Sequence, residues 1–468
     1  MEDCPLRLDR PLIGGRINRD SPGRRRGGAE VQCVQTGAGG GRASIEPLRA
    51  PRQLGSCDSR QKQADQGLSD RDRAFAHELS YGVTRLRGRL DHLLGAHVRR
   101  GIDSVDPKIL EVLRLGAYQI LFMGGVPAYA AVTEAVDQAR AVAGQPVAGF
   151  VNAVLRRVAE AGAGVERFPL EARDAAGFLA TWGSHPRWLV DRWLERWGAD
   201  EVRRLVEADN RRPSVFLVPL ESTPAEAVAR LAAAEMGSEV VGLGTRCVRL
   251  EDGVSVGAAL GAAGPAIAQD PAANLVSVYA DVPSGTMVAD LCAAPGGKVL
   301  ALPAPGLKIF AADRSESRIR LLRDNARRTG HPVAVAVADA TRPPVRSADV
   351  VMLDVPCTGT GTLARHPDAR WRLRPDSIAE MARLQDRMLA AAADVVAPGG
   401  LLVYSTCSLE PEENGARVRA FLSSRADFSV EPTDAVSPDL LDADGCLSVT
   451  PQMHGFDGSY AARMRKAS

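Results

Sequence analysis

Two cysteines in the C-terminal half of the chain have neighbours that suggest chemistry. Cys357 stands in the run Asp-Val-Pro-Cys-Thr-Gly-Thr-Gly at 354–361, and Cys407 in Tyr-Ser-Thr-Cys-Ser-Leu-Glu-Pro-Glu-Glu-Asn at 404–414. Each follows directly on an apolar run that is typical of a buried parallel strand. Because the carboxyl ends of parallel strands open on one crevice, we expect both thiols to reach it. A thiol that ionises there could act as a covalent catalyst.

The alternative is that both cysteines only fill space. Free cysteine is among the most buried residue types and usually packs as a small hydrophobic residue. Here, however, Cys357 and Cys407 lie beyond their strands, among acidic, glycine and threonine residues. A packing cysteine would be expected to have apolar neighbours, so the sequence favours a chemical role. It does not decide which of the two thiols attacks.

Composition limits the class of protein. The length of 468 residues argues for about three domains. No apolar run approaches the ~20 residues needed to span a bilayer, and the N-terminus lacks the apolar stretch of a signal peptide, so we expect a cytoplasmic protein without a membrane partner. The eight cysteines form no C-x-x-C pair, which argues against a zinc site and a disulfide framework. With a formal net charge of only +1, any case for a nucleic-acid partner depends on local patches.

The chain divides into four segments by pattern. Residues 1–66 are rich in Gly and Arg without periodicity, which predicts disorder or an error in the reading frame. Residues 67–165 have helical periodicity throughout, and 170–283 combine a linker helix with short strand patterns, typical of a small α+β module. Regular βα alternation over 284–468 predicts an α/β domain with a Rossmann-like, doubly wound sheet.

Arginine and tryptophan stand out in the helical segments. The three tryptophans near 185–211 are expected to pack in a core or interface: Trp188, Trp193 and Trp197. A solvated helix face is the favoured interpretation of the arginines, with contact to RNA phosphate as the alternative. These are Arg85, Arg87, Arg89, Arg99, Arg100, Arg156 and Arg157.

Four aspartates come at the ends of four predicted strands: Asp290, Asp313, Asp339 and Asp354. One such residue could simply cap a turn, but four in register favour a ligand crevice. An acid at the end of the second strand is the usual clamp for ribose hydroxyls, and Asp339 at the end of the third would lie near an adenine edge.

A glycine-rich loop follows the first of these strands and would let backbone N–H groups approach a ligand. Its residues are Cys292, Ala293, Ala294, Pro295, Gly296, Gly297 and Lys298. It matches neither the G-x-G-x-x-G pattern nor a Walker loop, so nothing indicates a pyrophosphate site. Together with the aspartates, the loop favours S-adenosylmethionine over NAD as the cofactor.

A methyl acceptor that needs a cysteine is C5 of a pyrimidine, which is a poor nucleophile. Addition of a thiolate to C6 turns the ring into an enamine whose C5 can attack a methyl group. The C5 proton must then leave and the thiolate must be expelled, and a second thiol or a base can assist. Asp354 could hold N3 and the exocyclic amine of a base that has been unstacked to enter the site.

These motifs resemble those of a known family. The runs around Asp290–Lys298, Asp354–Gly361 and Ser405–Asn414, with Arg370-Trp371 and Gln385, are similar to the RNA cytosine-C5 methyltransferases, and the helical segment resembles NusB, an RNA-binding antitermination factor. That pairing is typical of bacterial small-subunit rRNA methyltransferases of the RsmB/Sun type. The resemblance implies a class I methyltransferase domain and 16S rRNA as the partner.

Roles for individual residues follow from the same resemblance. It implies that Cys407 is the nucleophile, that Cys357 assists release, and that the Cys292–Lys298 loop binds the cofactor together with Asp313, Asp339 and Asp354. Two alternatives remain open at this stage. One is the same chemistry on tRNA or another rRNA site. The other, of a different class, is a non-catalytic RNA-binding factor in assembly or antitermination.

The first testable prediction concerns the cofactor. Replacing Asp313 with alanine should weaken S-adenosylmethionine binding by about 1.5–3 kcal/mol, because charged hydrogen bonds to the ribose would be lost. Calorimetric titration measures this directly. Unchanged affinity would leave Asp313 as a turn residue.

Overall fold

The structure is a computed structural model that describes residues 70–468. The disorder predicted for residues 1–66 lies outside this range. In the described residues no helix is long and apolar enough to cross a membrane.

The N-terminal part is all-helical, as the periodicity predicted. Its five helices pack around one apolar core: α1 (Asp70–Arg85), α2 (Arg87–Gly95), α3 (Pro107–Phe122), α4 (Ala128–Ala143) and α5 (Gln145–Ala161). The sequence predicts one continuous helix from 69 to about 100, and this is wrong: the helix breaks between Arg85 and Arg87. At the break, the Arg85 carbonyl accepts the Ser184 hydroxyl at 2.8 Å, and the Gly88 amide donates to the same hydroxyl oxygen at 2.9 Å. Tertiary hydrogen bonds therefore replace the helical ones.

The middle part links this bundle to the C-terminal domain. The linker helix α7 (Arg187–Asn210) is bent at Gly198. Trp193 is 1% exposed, and Trp188 and Trp197 pack beside it, which confirms their predicted packing role. The α+β module has a four-stranded antiparallel sheet of order β2-β3-β1-β4. Its elements and the helices that flank it are α6 (Ala175–Thr181), α7 (Arg187–Asn210), β1 (Phe216–Pro219), α8 (Pro224–Ala233), β2 (Ser238–Val240), β3 (Val248–Leu250), α9 (Val256–Ala262) and β4 (Ala266–Ala268).

The C-terminal part is a Rossmann-like domain with a mixed sheet, which confirms the predicted fold class. Strands β5 to β9 are parallel, and β10, β11 and β12 join antiparallel, in the order β10-β12-β9-β8-β5-β6-β7 with β11 on β12. The strands are β5 (Met287–Asp290), β6 (Lys308–Asp313), β7 (Val333–Val337), β8 (Ala348–Asp354), β9 (Val396–Thr406), β10 (Phe428–Val430), β11 (Leu447–Val449) and β12 (Ser459–Lys466). The helices are α10 (Pro271–Tyr279), α11 (Gly297–Leu300), α12 (Glu316–Thr329), α13 (Ala369–Arg372), α14 (Pro375–Asp394), α15 (Gly415–Ser424) and α16 (Pro451–His454).

The order of the parallel strands fixes where a ligand can bind. The chain runs from β5 outward to β6 and β7, then returns to β8 on the other side of β5. The strand order reverses between β5 and β8, so the crevice opens at the carboxyl ends of these two strands. Asp290 and Asp354 are the residues at those ends.

Two details of this domain differ from the sequence prediction. The pattern Ser377-x-x-Glu380 predicts a capping box with Ser377 as the N-cap. Helix α14 instead begins at Pro375, and the Ser377 hydroxyl accepts the Arg374 amide from a position inside the first turn. Strand β9 begins at Val396 and runs through Pro398-Gly-Gly400, which the sequence predicts as a turn before the strand. The pairing of β8 with β9 shifts register across this stretch, so the turn residues form an irregularity inside a longer strand.

A buried arginine joins the three parts. Arg370 is fully buried, and its NH1 and NH2 groups donate to the carbonyls of Arg85, Ser184, Asp209 and Leu363 and to the side chain of Asn210, at 2.9–3.3 Å. Burial lowers the pKa of Arg370 to about 10, so the guanidinium remains charged at neutral pH.

Three arginines for which a solvated helix face was the favoured interpretation make contacts at this junction. Arg85 donates to the Ala364 carbonyl at 3.1 Å, and Arg89 to the Trp182 carbonyl at 2.7 Å. Arg87 lies 5.4 Å from the centre of the Trp371 ring. For Arg85 and Arg89 that interpretation is wrong, because the helical bundle is docked on the C-terminal domain, whereas the Arg87 side chain is 42% exposed.

Arg370→Met should lower the free energy of unfolding by at least about 3 kcal/mol. Methionine fills a similar volume but donates no hydrogen bond, so several buried carbonyls lose their partner. Urea denaturation measures the loss. The control is Arg387→Met, on the exposed face of α14, which should change the free energy by no more than about 0.5 kcal/mol. A similar small loss for Arg370→Met would mean that water replaces the guanidinium.

Candidate active site

The two cysteines predicted to share a crevice lie side by side. Strands β8 and β9 are parallel neighbours with Asp354 opposite Ser405, so the loops that follow them start at the same level. The Sγ atoms of Cys357 and Cys407 are 3.2 Å apart, and both side chains are partly exposed. The thiols therefore face one reaction site from two neighbouring strand ends.

The surroundings distinguish the two thiols. The hydrogen bond with Cys407, then burial and the charges of Cys407 and Glu413, raise the pKa of Cys357 well above its ordinary value. The raised pKa favours the protonated form of Cys357, whose thiol lies within reach to donate to the Cys407 sulfur. A thiol that donates to a neighbouring sulfur stabilises negative charge on that sulfur.

A lysine–aspartate pair lies beside the thiols. Lys298 Nζ is 2.7 Å from Asp354 Oδ2, and the Ser405 hydroxyl donates to Asp354 Oδ1 at 2.8 Å. Burial acts to lower the pKa of Lys298, but the charge and hydrogen bond of Asp354, with the charges of Cys407 and Asp290, raise it overall. The ammonium therefore stays charged, and it adds positive potential near the Cys407 sulfur.

The carboxyl group of Asp290, under the glycine-rich loop, is buried and has a raised pKa. It is 2% exposed, and its Oδ1 accepts the Cys292 amide at 3.1 Å. Burial and the nearby Asp354 carboxylate raise the pKa of Asp290 to about 7. Burial and the same acids raise the pKa of the Cys292 thiol well above its usual value, so that thiol stays protonated.

The glycine-rich loop is held by hydrogen bonds within itself and to the neighbouring strand β6 and helix α12. The amide of Ala293 bonds to the Ala312 carbonyl at 2.9 Å and that of Gly296 to the Ala293 carbonyl at 2.7 Å, while the Asn325 side chain donates to the Pro295 carbonyl at 3.0 Å. The N–H groups of Cys292, Ala293 and Gly296 are thus engaged within the protein. Those of Gly297 and Lys298, in the first turn of α11, have no helical acceptor.

The other two strand-end acids lie where the sequence placed them and also cap turns. Asp313 ends β6 and is buried; its Oδ1 accepts the Ser315 amide at 2.9 Å, and Arg318 lies 3.6 Å from its Oδ2. Asp339 follows β7 by two residues and is exposed. Hydrogen bonds from the amide and hydroxyl of Thr341 lower its pKa.

Glu413 is a site residue for which the sequence suggested no role. Its carboxylate is fully buried between the two cysteine loops. It accepts the amide and hydroxyl of Thr358, which follows Cys357, and the hydroxyl of Ser408, which follows Cys407. Gln385 of α14 donates to it at 3.0 Å. Because one carboxylate ties both loops together, Glu413 fixes the spacing of the thiols. Burial raises its pKa despite these donors.

The other glutamates of the run at 410–413 bind the linker helix. Glu410 is buried and accepts Trp193 Nε1 at 3.1 Å, and Arg192 forms ion pairs with both Glu410 and Glu412. The sequence signal for this clamp is two acids, Glu410 and Glu412, close behind Cys407. Their partners are more than 200 residues away, beyond the reach of local patterns.

Close backbone packing sets the position of the Cys357 loop. A Cβ on Gly361 would lie 2.7 Å from Gly458 Cα and 2.8 Å from the Cys407 carbonyl oxygen, so only glycine fits there. The Gly361 amide donates to that carbonyl at 3.0 Å, and the Gly458 amide donates to Gly361 O at 2.6 Å. The loop from β8 is thereby joined to the loop from β9 and to the start of β12.

A Rossmann-like sheet with this site at its switch point defines a methyltransferase of the class that acts on RNA, and comparison with known proteins gives the family. The model of the 16S rRNA methyltransferase RsmB/F family matches residues 279–465, the NusB family model 51–160, and a ferredoxin-like domain of RsmF/B-type methyltransferases 185–257. The chain belongs to the RsmB/F family of 16S rRNA methyltransferases.

Individual relatives cover most of the chain. A probable ribosomal RNA small subunit methyltransferase B of Synechocystis is 34% identical over 86% of this chain and 92% of the relative. A putative methyltransferase of Mycobacterium tuberculosis is 35% identical over 86% of this chain and 90% of its own. The crystal structure of PH0851 is similar with a TM-score of 0.72 and 26% identity, over 88% of this chain and 95% of that one.

Within residues 70–468 no group of three or more His, Cys, Asp or Glu side chains is arranged to hold a metal ion.

The raised pKa of Asp290 predicts a pH-dependent stability. An acid whose pKa rises on folding, here from 3.8 to about 7, favours the folded state while protonated, and this stabilisation is lost as pH rises through that window. Relative to Asp290→Asn, the native protein should therefore lose unfolding free energy, on the order of a few kcal/mol, between about pH 4 and pH 7.

Urea denaturation at several pH values measures this difference. Asp434→Asn, which removes one exposed carboxylate, controls for the general effect of charge. A constant difference between native protein and Asp290→Asn across this range would show that Asp290 ionises as it does in the unfolded chain.

Proposed function

We propose that the protein methylates C5 of a cytosine in 16S rRNA with S-adenosylmethionine, through a covalent bond between Cys407 and C6. The observation that carries the proposal is the 3.2 Å contact of the two thiols, with a charged lysine beside them. Methylation of an oxygen or nitrogen atom, which has its own lone pair, needs neither thiol. Family membership supports 16S rRNA as the substrate, and resemblance to the RsmB/Sun type suggests the cytosine at position 967.

The residues around the glycine-rich loop fit the cofactor. Asp313 offers a buried strand-end carboxylate for ribose hydroxyls. Gln269 adds a donor that the sequence did not single out: its Nε2 is buried, has no hydrogen-bond partner among the described residues, and lies 3.4 Å from where a Cβ of Gly297 would be. Asp339 would face the adenine, and the loop from Cys292 to Lys298 would hold the rest of the molecule. S-Adenosylmethionine, when bound, supplies an electrophilic methyl group.

Attack on the base begins at Cys407. Donation from Cys357 and the positive charge of Lys298 stabilise the Cys407 thiolate before it adds to C6. The Asp354 carboxylate lies 2.7 Å from Lys298 and would face N3 and the exocyclic amine of the base. As the sulfur–carbon bond forms, electron density moves into the ring, where the positive charge of Lys298 can stabilise it, and C5 becomes nucleophilic.

Release requires two bond changes after C5 is methylated. The proton on C5 leaves to a base, its electron pair restores the C5–C6 double bond, and the Cys407 thiolate is expelled. Cys357 is in place to donate to that leaving sulfur, and the raised pKa of its thiol keeps the proton available at neutral pH. The geometry thus supports attack by Cys407 and assistance by Cys357.

Exchange of each thiol tests the proposal. Cys357→Ala should accumulate a covalent protein–RNA band that survives denaturation, because Cys407 still attacks but is expelled slowly. Cys407→Ala should bind the cofactor normally and lose methylation, and the double variant should form no band. Electrophoresis of denatured reaction mixtures measures the adduct.

Cys446→Ala is the matched control, since Cys446 is fully buried among apolar residues and should leave no adduct. A band with Cys407→Ala instead of Cys357→Ala would reverse the two roles. Full methylation by Cys407→Ala would exclude the covalent mechanism altogether.

A further inference from the structure

The two thiols of the active site are close enough to react with each other. Cys357 Sγ and Cys407 Sγ are 3.2 Å apart, and we call them the thiol pair. A disulfide bond is about 2.05 Å long, so the two sulfur atoms would have to approach each other by about 1.2 Å. The loops that carry them leave neighbouring parallel strands, β8 and β9. Such strands lie about 4.8 Å apart, within the Cα separations that disulfides span.

Two contacts hold the loops of the thiol pair together. The buried Glu413 carboxylate accepts the Thr358 amide at 2.9 Å and the Ser408 hydroxyl at 2.5 Å, and these two residues directly follow the two cysteines. The Gly361 amide donates to the Cys407 carbonyl at 3.0 Å. The loops are thus joined through a carboxylate and through a backbone hydrogen bond, which keeps the two sulfur atoms within reach of each other.

The thiol pair differs from the other cysteines of residues 70–468. Cys247 and Cys446 are fully buried, whereas Cys292 is partly exposed like the pair. Burial and three nearby carboxylates raise the pKa of the Cys292 thiol, which opposes formation of the thiolate that oxidants attack. Cysteines that respond to oxidants are accessible and have a second, resolving cysteine beside them. Within the described part of the chain, the pair meets both conditions.

We propose that the thiol pair is an oxidation site, at which a peroxide converts the two thiols into a disulfide and so stops methylation reversibly. First the Cys407 thiolate attacks the peroxide: an S–O bond forms, the O–O bond breaks, and the departing oxygen takes up a proton. Cys407 is then a sulfenic acid. Next the Cys357 sulfur attacks the Cys407 sulfur: the S–S bond forms, the S–O bond breaks, and the hydroxyl leaves as water with the proton of Cys357.

The electrons of this reaction balance. The two sulfur atoms together lose two electrons, and these reduce one molecule of hydrogen peroxide to two molecules of water, or an organic peroxide to an alcohol and water. The first step also favours the second. The hydrogen bond with Cys407, burial and the charge of Cys407 raise the pKa of Cys357. A neutral sulfenic acid at Cys407 removes that charge, so Cys357 gives up its proton more readily.

The effect on activity rests on the proposed function. A disulfide removes the nucleophile Cys407 and occupies Cys357, so neither attack on C6 nor assisted release can take place. Because both residues are partly exposed, a small dithiol can reach the bond and restore the two thiols. Disulfide formation would also stop further oxidation of Cys407 to a sulfinic acid, which dithiols do not reduce.

Peptide mapping of the full chain after treatment with hydrogen peroxide tests the oxidation site. Under non-reducing conditions the peptides that contain Cys357 and Cys407 should be joined, with the loss of two hydrogen atoms. Methylation of 16S rRNA transcript should fall in proportion to the joined fraction and return to its starting rate after dithiothreitol. In Cys357→Ser, which retains a hydroxyl but cannot form the disulfide, Cys407 should instead gain two oxygen atoms that dithiothreitol does not remove.

Cys446→Ala is the matched control, because it removes a fully buried thiol and should leave both the joined peptides and the recovery unchanged. The oxidation site is overturned if the thiol pair stays reduced, if Cys407 is joined to another cysteine, or if the native protein accumulates sulfinic acid without joined peptides. Joined peptides with undiminished methylation would overturn the inhibition, and with it the covalent mechanism. If the peptides join but the reduced protein methylates no RNA, the proposed function fails and the oxidation site stands.

Discussion

A guanidinium enclosed by protein must find acceptors for its N–H groups, and Arg370 finds them in all three parts of the molecule. The carbonyl of Arg85 comes from the helical bundle, those of Ser184 and Asp209 from the linker, and that of Leu363 from the catalytic domain. Separation of any part would leave buried charge or carbonyls unpaired, at a cost of several kcal/mol. The break between α1 and α2 and the packing of Trp371 follow from this arrangement.

The active site also depends on the docking of the three parts, through residues that support the two cysteine loops. Arg370 lies a short way beyond the Cys357 loop, and the linker helix holds the Cys407 loop through Arg192, Trp193 and Glu410. Between the loops, Glu413 links Thr358 to Ser408. The 3.2 Å spacing of the thiols is therefore set by residues from several segments, none of which reacts itself. Such outer support is how a site is held within the tolerance that chemistry requires.

Much of the fold was accessible from local pattern. Apolar runs followed by turn residues correctly predicted the parallel strands, and the four aspartates lie at or just beyond the strand ends. The predictions from local pattern were wrong where tertiary contacts override the secondary-structure preference of the local sequence. Helix α1 ends because Ser184 and Arg370 donate hydrogen bonds to the Arg85 carbonyl. Strand β9 includes Pro398-Gly-Gly400 because its pairing with the neighbouring strand β8 continues on both sides of these residues. Arg85 and Arg89, expected on a solvated face, instead donate to carbonyls because the bundle packs against Ala364 and Trp182.

By itself the sequence determined the class of sheet, the crevice at its strand ends and the presence of two thiols there, because strand periodicity and the parallel βα topology are local properties. It did not determine which thiol keeps its proton. That depends on the 3.2 Å contact, on burial and on Glu413, which exist only when β8, β9 and the loop beyond Cys407 are assembled. Nor did it determine which arginines are free for a partner, since that requires knowing which surfaces the three parts cover in one another.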